Sequence, residues 1–314
     1  MKVCLLSGGT GTPKFIQGLK NVIPQENISV IVNTGEDTII NGLYLSPDID
    51  TVLYTFSDLI NEDTWYGVRN DTFFTHETIK KYETDGFKEI LRIGDKDRAL
   101  KLHKTYFLNK GYSLSKVVDM ERKMLKIKSK IYPMSDDKVE TKILIEENGE
   151  KYLIKFHDFW INRKGQCNVL DVFYEGSNYA NVCETALEDL EKCDVVIIGP
   201  SNPITSIGPI LSIKDIRKIL MEKFVIGISP FIGNKPVSGP ASVLMRCKNY
   251  ESNPEGLYNY YKKYLDVIIL DSSDKDKDYN INCNLEYTDI FMDNMDKKIN
   301  LAKYVLNTIE KYIQ

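Results

Sequence analysis

Histidine is scarce: His76, His103 and His157 are the only three in 314 residues, and none stands at H-E-x-x-H or similar spacing. The six cysteines, Cys4, Cys167, Cys183, Cys193, Cys247 and Cys283, contain no C-x-x-C pair. Those missing spacings argue against a zinc site and against a thioredoxin-type redox motif. The cysteines are expected to be free thiols, mostly buried. Charge of one sign is also lacking. With 41 basic against 45 acidic residues the formal net charge is −4, so no nucleic-acid partner is expected. No apolar run is long enough to span a bilayer. The start, MKVCLLSGG, holds an apolar run too short for a signal-peptide core, so the expected location is cytoplasmic. Internal repeats and low-complexity linkers are missing as well.

What is present is ordinary globular material, 42% hydrophobic and 27% charged, with length enough for a sizeable core. Residues 2–6 form a short apolar run that stops at SGGTGTPK. Phe15, Ile16, Leu19 and Val22 then recur at helical spacing. Pro13 suits the first helical position, where a missing N–H costs nothing. A second strand is expected at 28–32, ending at NTGED. A helix is expected at 51–60, with Asp50 and Thr51 in its N-cap region. Helices at 96–108 and 114–125 follow. From about 130 to 174 the texture becomes β-rich with turn signals at Asn148-Gly149 and Lys164-Gly165, which predicts antiparallel hairpins. Strands at 194–198, 224–229 and 267–270 then alternate with helices, and a last helix is expected at 297–313. This order predicts an α/β fold, a mainly parallel sheet with helices on its faces. The core is expected to be split, 1–60 plus 178–314, around a mixed α+β insertion at 61–177.

The strongest chemical signal is Gly8-Gly9-Thr10-Gly11-Thr12-Pro13-Lys14. Glycines between a strand and a helix let backbone N–H groups approach an anion at the positive end of the helix dipole, so phosphate is the favoured ligand. The run is neither a Walker A motif nor G-x-G-x-x-G, and a tight strand–helix turn is the competing reading. Glu36 and Asp37 follow the second strand, where ligands gather in open parallel sheets. Carboxylates beside a phosphate call for a hard cation such as Mg²⁺; an exposed acidic turn accounts for them equally well. Asp48 and Asp50 could bracket a metal or a hydroxyl, although helix capping alone would explain them. The loops 199–206 and 233–240, rich in Gly, Pro and small donors, suggest one shared cleft with the glycine loop.

In this order GGTGTPK, VNTGEDT, GLYLSPDIDTVLY, TWYGVRNDTF, LRIGDKDRA, PMSDD, IIGPSNPITSIGPIL and SPFIGNKPVSGPA resemble the 2-phospho-L-lactate transferase family of coenzyme F-420 biosynthesis. The resemblance runs from Val3 to about Asp271; after Asn282 it is weak, and no site is assigned there. It implies a Rossmann-like three-layer α/β/α core, a homodimer, and a requirement for Mg²⁺. The implied reaction moves the phospholactyl group of lactyl-2-diphospho-5′-guanosine to 7,8-didemethyl-8-hydroxy-5-deazariboflavin and releases GMP. Asp50 and Arg92 are then expected to contact the deazaflavin, with Asp50 orienting or deprotonating its hydroxyl. Mg²⁺ is expected on Asp50 and on Asp37 or Glu36. Gly8, Gly9, Thr10, Gly11, Thr12, Lys14 and Asn33 are expected to hold phosphate, and Ser201, Asn202, Asn234 and Ser238 the rest of the guanine nucleotide (GMP or GDP). Two other readings stay open: a UDP-sugar-binding regulator resembling the bacterial gluconeogenesis factor, and the same transfer from a phosphoenolpyruvate- or phosphoglycerate-derived donor.

Overall fold

The computed structural model describes residues 1–313. Its centre is a seven-stranded sheet, every neighbouring pair parallel. The strand order is Asn284–Thr288, Val267–Asp271, Val225–Ile228, Val195–Ile198, Val3–Ser7, Ile28–Val32, Lys130–Pro133. The inner strands are buried along their whole length, as a sheet covered on both faces requires.

Alternate residues of one strand feed two separate cores. Cys4 and Leu6 join one apolar cluster, which includes Ala186 and Leu190 of helix Glu184–Lys192, Ile216 of helix Lys214–Leu220 and Leu244 of helix Ala241–Cys247. Val3 and Leu5 join the other, with Phe15 and Ile16 of helix Gly11–Leu19, Val52 and Leu53 of helix Pro47–Phe56, and Leu301 and Val305 of helix Met295–Ile313. The result is three layers, helices on either side of one sheet. A three-stranded antiparallel sheet packs on the first cluster through Ile143, Ile145 and Val172. Its turn at Asn148 and Gly149 has both φ angles positive, 54° and 81°, the geometry favoured by two-residue hairpins.

Several boundaries differ from the sequence expectation. Lys130–Pro133 falls in the stretch expected to form hairpins, yet it is the edge of the parallel sheet, paired with Ile28–Val32. Pro133 is tolerated at the end of an edge strand. The opposite edge, Asn284–Thr288, was not foreseen, because it is largely half-buried and carries no apolar run. The second long helix begins at Pro47 with Ser46 as N-cap, so Asp50 lies inside the first turn and does not cap it. The first helix begins at Gly11, which puts Pro13 at its third position, still within the turn whose N–H groups lack helical acceptors. All six cysteines are free. Among the described residues no helix is long and apolar enough to cross a membrane.

From Val3–Ser7 the chain builds outward through Ile28–Val32 and Lys130–Pro133, then returns to the other side at Val195–Ile198. The carboxyl ends of Val3–Ser7 and Val195–Ile198 therefore flank a topological switch point, where open α/β sheets bind ligands.

Candidate active site

The glycine loop and the 199–206 loop are locked together at that switch point. The N–H of Thr12 donates to Ser201 Oγ at 3.0 Å, the two side-chain oxygens lie 2.7 Å apart, and Ser201 Oγ also donates to the carbonyl of Gly8. A Cβ on Gly11 would stand 1.8 Å from the carbonyl oxygen of Pro200. Gly11 is thus dictated by the close approach of the second loop, whereas Gly9 is dictated by its φ of 56°. With Thr12 engaged, the N-cap Thr10 and, in the first turn, Gly11 and Lys14 border open space.

That space is a cleft of about 540 Å³. Of the residues expected on the nucleotide, Gly9, Thr10, Gly11, Lys14, Ser201, Asn202 and Ser238 line it. Gly8, Thr12, Asn33 and Asn234 do not. Asn33 is buried behind the wall, its amide nitrogen donating to Asp48 Oδ2 at 2.8 Å and to the carbonyl of Thr205 at 3.2 Å. Asn234 is exposed on a small hairpin turn. Lys14 is half-buried, with its ammonium 5.2 Å from the centre of the Trp65 ring. Burial, then the charge of Lys298, lowers its pKa.

Of the expected metal ligands, Glu36 and Asp50 line one pocket together, whereas Asp37 lines neither that pocket nor the cleft. Asp37 faces away from the cleft, accepting from Ser46 Oγ at 2.8 Å and Tyr44 OH at 3.1 Å, beside a separate cavity of about 320 Å³. Asp50 lies in a neighbouring pocket. Glu36 does line the cleft, and its companion there is Asp48. Asp48 is buried, and burial raises its pKa to about 6 against the hydrogen bonds from Asn33 and the Gly9 amide. Burial, followed by the charges of Asp48 and Asp37, pushes Glu36 well above the ordinary carboxylate range. Neither Glu36 nor Asp48 has a salt-bridge partner among the described residues.

A second pocket of about 200 Å³ adjoins the cleft, sharing Glu36, Pro47, Thr51, Phe156 and Trp160 with it. Leu45, Leu91, Tyr54, Tyr66 and Ile161 make most of the remaining wall apolar. Asp50 lies in this pocket, and its carboxylate accepts from Lys104 at 2.5 Å and Lys101 at 2.9 Å. Lys101 also donates to Asp97 at 2.6 Å, and Tyr54 OH donates to Asp97 at 2.7 Å. Burial alone would raise the pKa of Asp50, but the two ammonium groups hold it below the ordinary value. Arg92 is exposed, with its guanidinium 3.9 Å from the centre of the Phe73 ring; the adjacent Leu91 reaches the pocket wall.

Sequence reasoning missed Lys101 and Lys104, the partners of Asp50. Their spacing from Asp97 on helix Asp95–Asn109 puts all three on one face, which was the available signal. It also assigned nothing to the C-terminal stretch, yet Phe291, Met292 and Asp293 line the nucleotide-sized cleft.

Such a pair of spaces, one polar at a helix N-terminus and one apolar with a fixed carboxylate, suits two substrates meeting at a shared wall. Residues 3–309 match the family described as 2-phospho-L-lactate transferase CofD. A 2-phospho-L-lactate transferase of Methanococcus maripaludis (strain S2) is 60% identical over 98% of both chains, and one of Methanocaldococcus jannaschii is 57% identical over 97% of both. Among solved structures, a UPF0052-family protein of Bacillus halodurans matches with a TM-score of 0.65 at 15% identity, covering 97% of this chain and 98% of its own, and shows the fold alone. The chain therefore belongs to the CofD family of 2-phospho-L-lactate transferases and is a transferase.

Proposed function

We propose that the chain transfers the phospholactyl group of lactyl-2-diphospho-5′-guanosine to 7,8-didemethyl-8-hydroxy-5-deazariboflavin, forming coenzyme F-420-0 and GMP. The observation that carries this reading is the adjoining pair of spaces. The larger cleft, with the glycine loop, Lys14, Ser201, Asn202 and Ser238 at its walls, suits a guanosine diphosphate. The smaller, apolar pocket suits a planar ring, although Arg92 is not one of its lining residues.

Phosphoryl transfer of this kind depends on positioning and on neutralising charge. The N-cap Thr10 and the first helical residue Gly11 present backbone amides, and Lys14 adds a cation, to the diphosphate. Asp50, fixed by two lysines, accepts a hydrogen bond from the ribityl hydroxyl and orients it toward the lactate-bearing phosphorus. An ionised, stabilised carboxylate is better suited to orienting that hydroxyl than to removing its proton. The shared wall between the two spaces sets the line along which the hydroxyl approaches and GMP departs.

Mg²⁺ fits this site, with Glu36 of the expected ligands on the cleft wall and Asp48 beside it. Glu36 and Asp48 are two carboxylates on the wall of the cleft with no cationic partner among the described residues, and Mg²⁺ commonly takes one or two carboxylates plus substrate phosphates. When bound it supplies positive charge to the diphosphate.

The test is product analysis. Purified protein with the deazaflavin, Mg²⁺ and each candidate guanylyl donor is followed by mass spectrometry. The expected product carries the phospholactyl mass. A product only from the phosphoenolpyruvate- or phosphoglycerate-derived donor overturns the donor assignment. Binding of UDP-sugar without any turnover overturns the transfer itself. The homodimer implied by the family is checked by light scattering.

A further inference from the structure

The apolar pocket holds two polar atoms with nothing to bind. Tyr66 OH and His157 Nε2 are both shut off from solvent, both lack a hydrogen-bond partner, and both residues line this pocket. Of its other polar side chains, Glu36 stands at the boundary shared with the larger cleft, and four deeper ones are committed within the protein. Asp50 and Lys101 bind each other, Tyr54 OH is held by Asp97, and Thr51 Oγ1 donates to the carbonyl of Pro47. A buried donor or acceptor left unpaired is costly, and native proteins rarely leave one without reason. Two in one small pocket, on two separate segments, point to a ligand that supplies both partners.

The two groups are chemically distinct. Burial first of all, against the opposing charge of Lys101, lifts the Tyr66 phenol to about 12, so it stays protonated and offers a donor. Burial lowers the pKa of His157, so its imidazole is neutral and one ring nitrogen can accept. The walls between them, Leu45, Leu91, Phe156 and Ile161, would pack against a flat apolar body. The complementary ligand is a planar ring system with an edge bearing a carbonyl and an adjacent N–H. The imide edge of a deazaflavin has that pattern.

We infer that Tyr66 and His157 recognise the imide edge of the deazaflavin acceptor, the phenol donating to a ring carbonyl and the imidazole accepting from the neighbouring N–H. The inference deepens the proposed function and rests on its placement of the acceptor in this pocket. Asp50 then holds the ribityl end while Tyr66 and His157 hold the ring, which fixes the reacting hydroxyl by two separated anchors.

Fluorescence titration tests it, using the deazaflavin and its N3-methyl derivative, which lacks the imide N–H. Wild-type protein is expected to bind the N3-methyl compound about tenfold more weakly. Tyr66→Phe and His157→Phe are each expected to bind the parent deazaflavin about tenfold more weakly, with GDP affinity unchanged. His157→Phe should no longer distinguish the two ligands. Removing an unpaired buried group does not cost a native contact, so the melting temperature of each variant is expected to hold or rise. Equal wild-type affinity for both ligands overturns the inference without recourse to any variant, and so does unchanged affinity in both variants. Leu91→Trp, which fills the pocket, separates the two levels: if it leaves deazaflavin binding intact, the placement of the acceptor itself has failed.

Discussion

Lys104 Nζ stands 2.5 Å from one oxygen of Asp50, while Lys101 Nζ stands 2.9 Å from the other. All three side chains are buried. Each carboxylate oxygen therefore has its own cation, and the group has no freedom to rotate away. A lone acidic residue in a pocket would drift between rotamers and protonation states. This one is held ionised in one orientation, as a positioning acceptor requires.

The network makes Asp50 structural as well as functional. Asp50→Ala leaves two buried ammonium groups short of a counter-charge, and breaking a buried pair from one side costs about 3–5 kcal/mol. That variant is expected to melt well below wild type. Asp50→Asn keeps the shape and is the cleaner probe of chemistry: turnover is expected to fall by about 10²-fold or more, in line with loss of a positioning contact at the reacting group. Turnover per folded molecule, normalised by circular dichroism, checks this. Wild-type turnover in Asp50→Asn would remove the residue from the reaction.

Glu121 closes the same network from behind and gives a pH signature. It lies 3.5 Å from Lys104, and its carboxylate oxygens have no hydrogen bond. Burial, against the pull of Lys104, raises its pKa to about 7. An acid whose folded pKa exceeds the unfolded value of about 4.3 stabilises the fold most when protonated. That contribution is present below the unfolded value and is lost as pH rises through about 7. Glu121→Gln, which stays neutral, should therefore gain melting temperature over wild type as pH rises from 5 to 8. A difference that stays flat, or grows toward acid, contradicts the assignment.

The sequence made the core legible because its strands are short, apolar and buried on both faces. Val3–Ser7, Ile28–Val32 and Val195–Ile198 announce themselves in this way. The two edges did not. Lys130–Pro133 pairs on one side only, and Asn284–Thr288 is half-exposed, so neither shows the continuous apolar run that marked the others. At the site, the glycine loop was readable because backbone geometry restricts residue choice locally. The lysines of Asp50 were not, since their roles come from contacts some 50 residues away in sequence, such as Lys101 with Asp50. The reason for Gly11 was equally hidden: only the fold brings Pro200 against it.

Lys14 tests the nucleotide end. Its ammonium sits at the cleft wall, half-buried and repelled by Lys298. Losing a charged hydrogen bond to phosphate typically costs about 1.5–3 kcal/mol, so Lys14→Met should weaken GDP binding by about 10- to 100-fold. Because the substitution also relieves burial of a charge near Lys298, the melting temperature is expected to hold. Calorimetric titration of GDP against both proteins decides it; equal affinities would place the diphosphate elsewhere.

The metal prediction separates three acidic residues that the sequence could not rank. Asp37 carries two hydroxyl donors, from Ser46 and Tyr44, and does not reach the cleft wall. Glu36 and Asp48 do reach it, and no cationic side chain pairs with either. Burial, and after it the charges of Asp48 and Asp37, raises the pKa of Glu36, and two ionised carboxylates would repel an incoming diphosphate. A divalent cation between protein and phosphate removes that repulsion. Titrating Mg²⁺ against turnover should therefore show a half-saturating concentration raised about tenfold or more in Asp48→Asn and in Glu36→Gln, since a charged ligand has been lost. Asp37→Asn should stay near wild type. The free protein supplies a second readout: each of the two cleft variants should gain less melting temperature than wild type from adding GDP with Mg²⁺. Should Asp37→Asn alone shift the Mg²⁺ requirement, the cation would have to sit on the far side of that loop, and the cleft carboxylates would need another role.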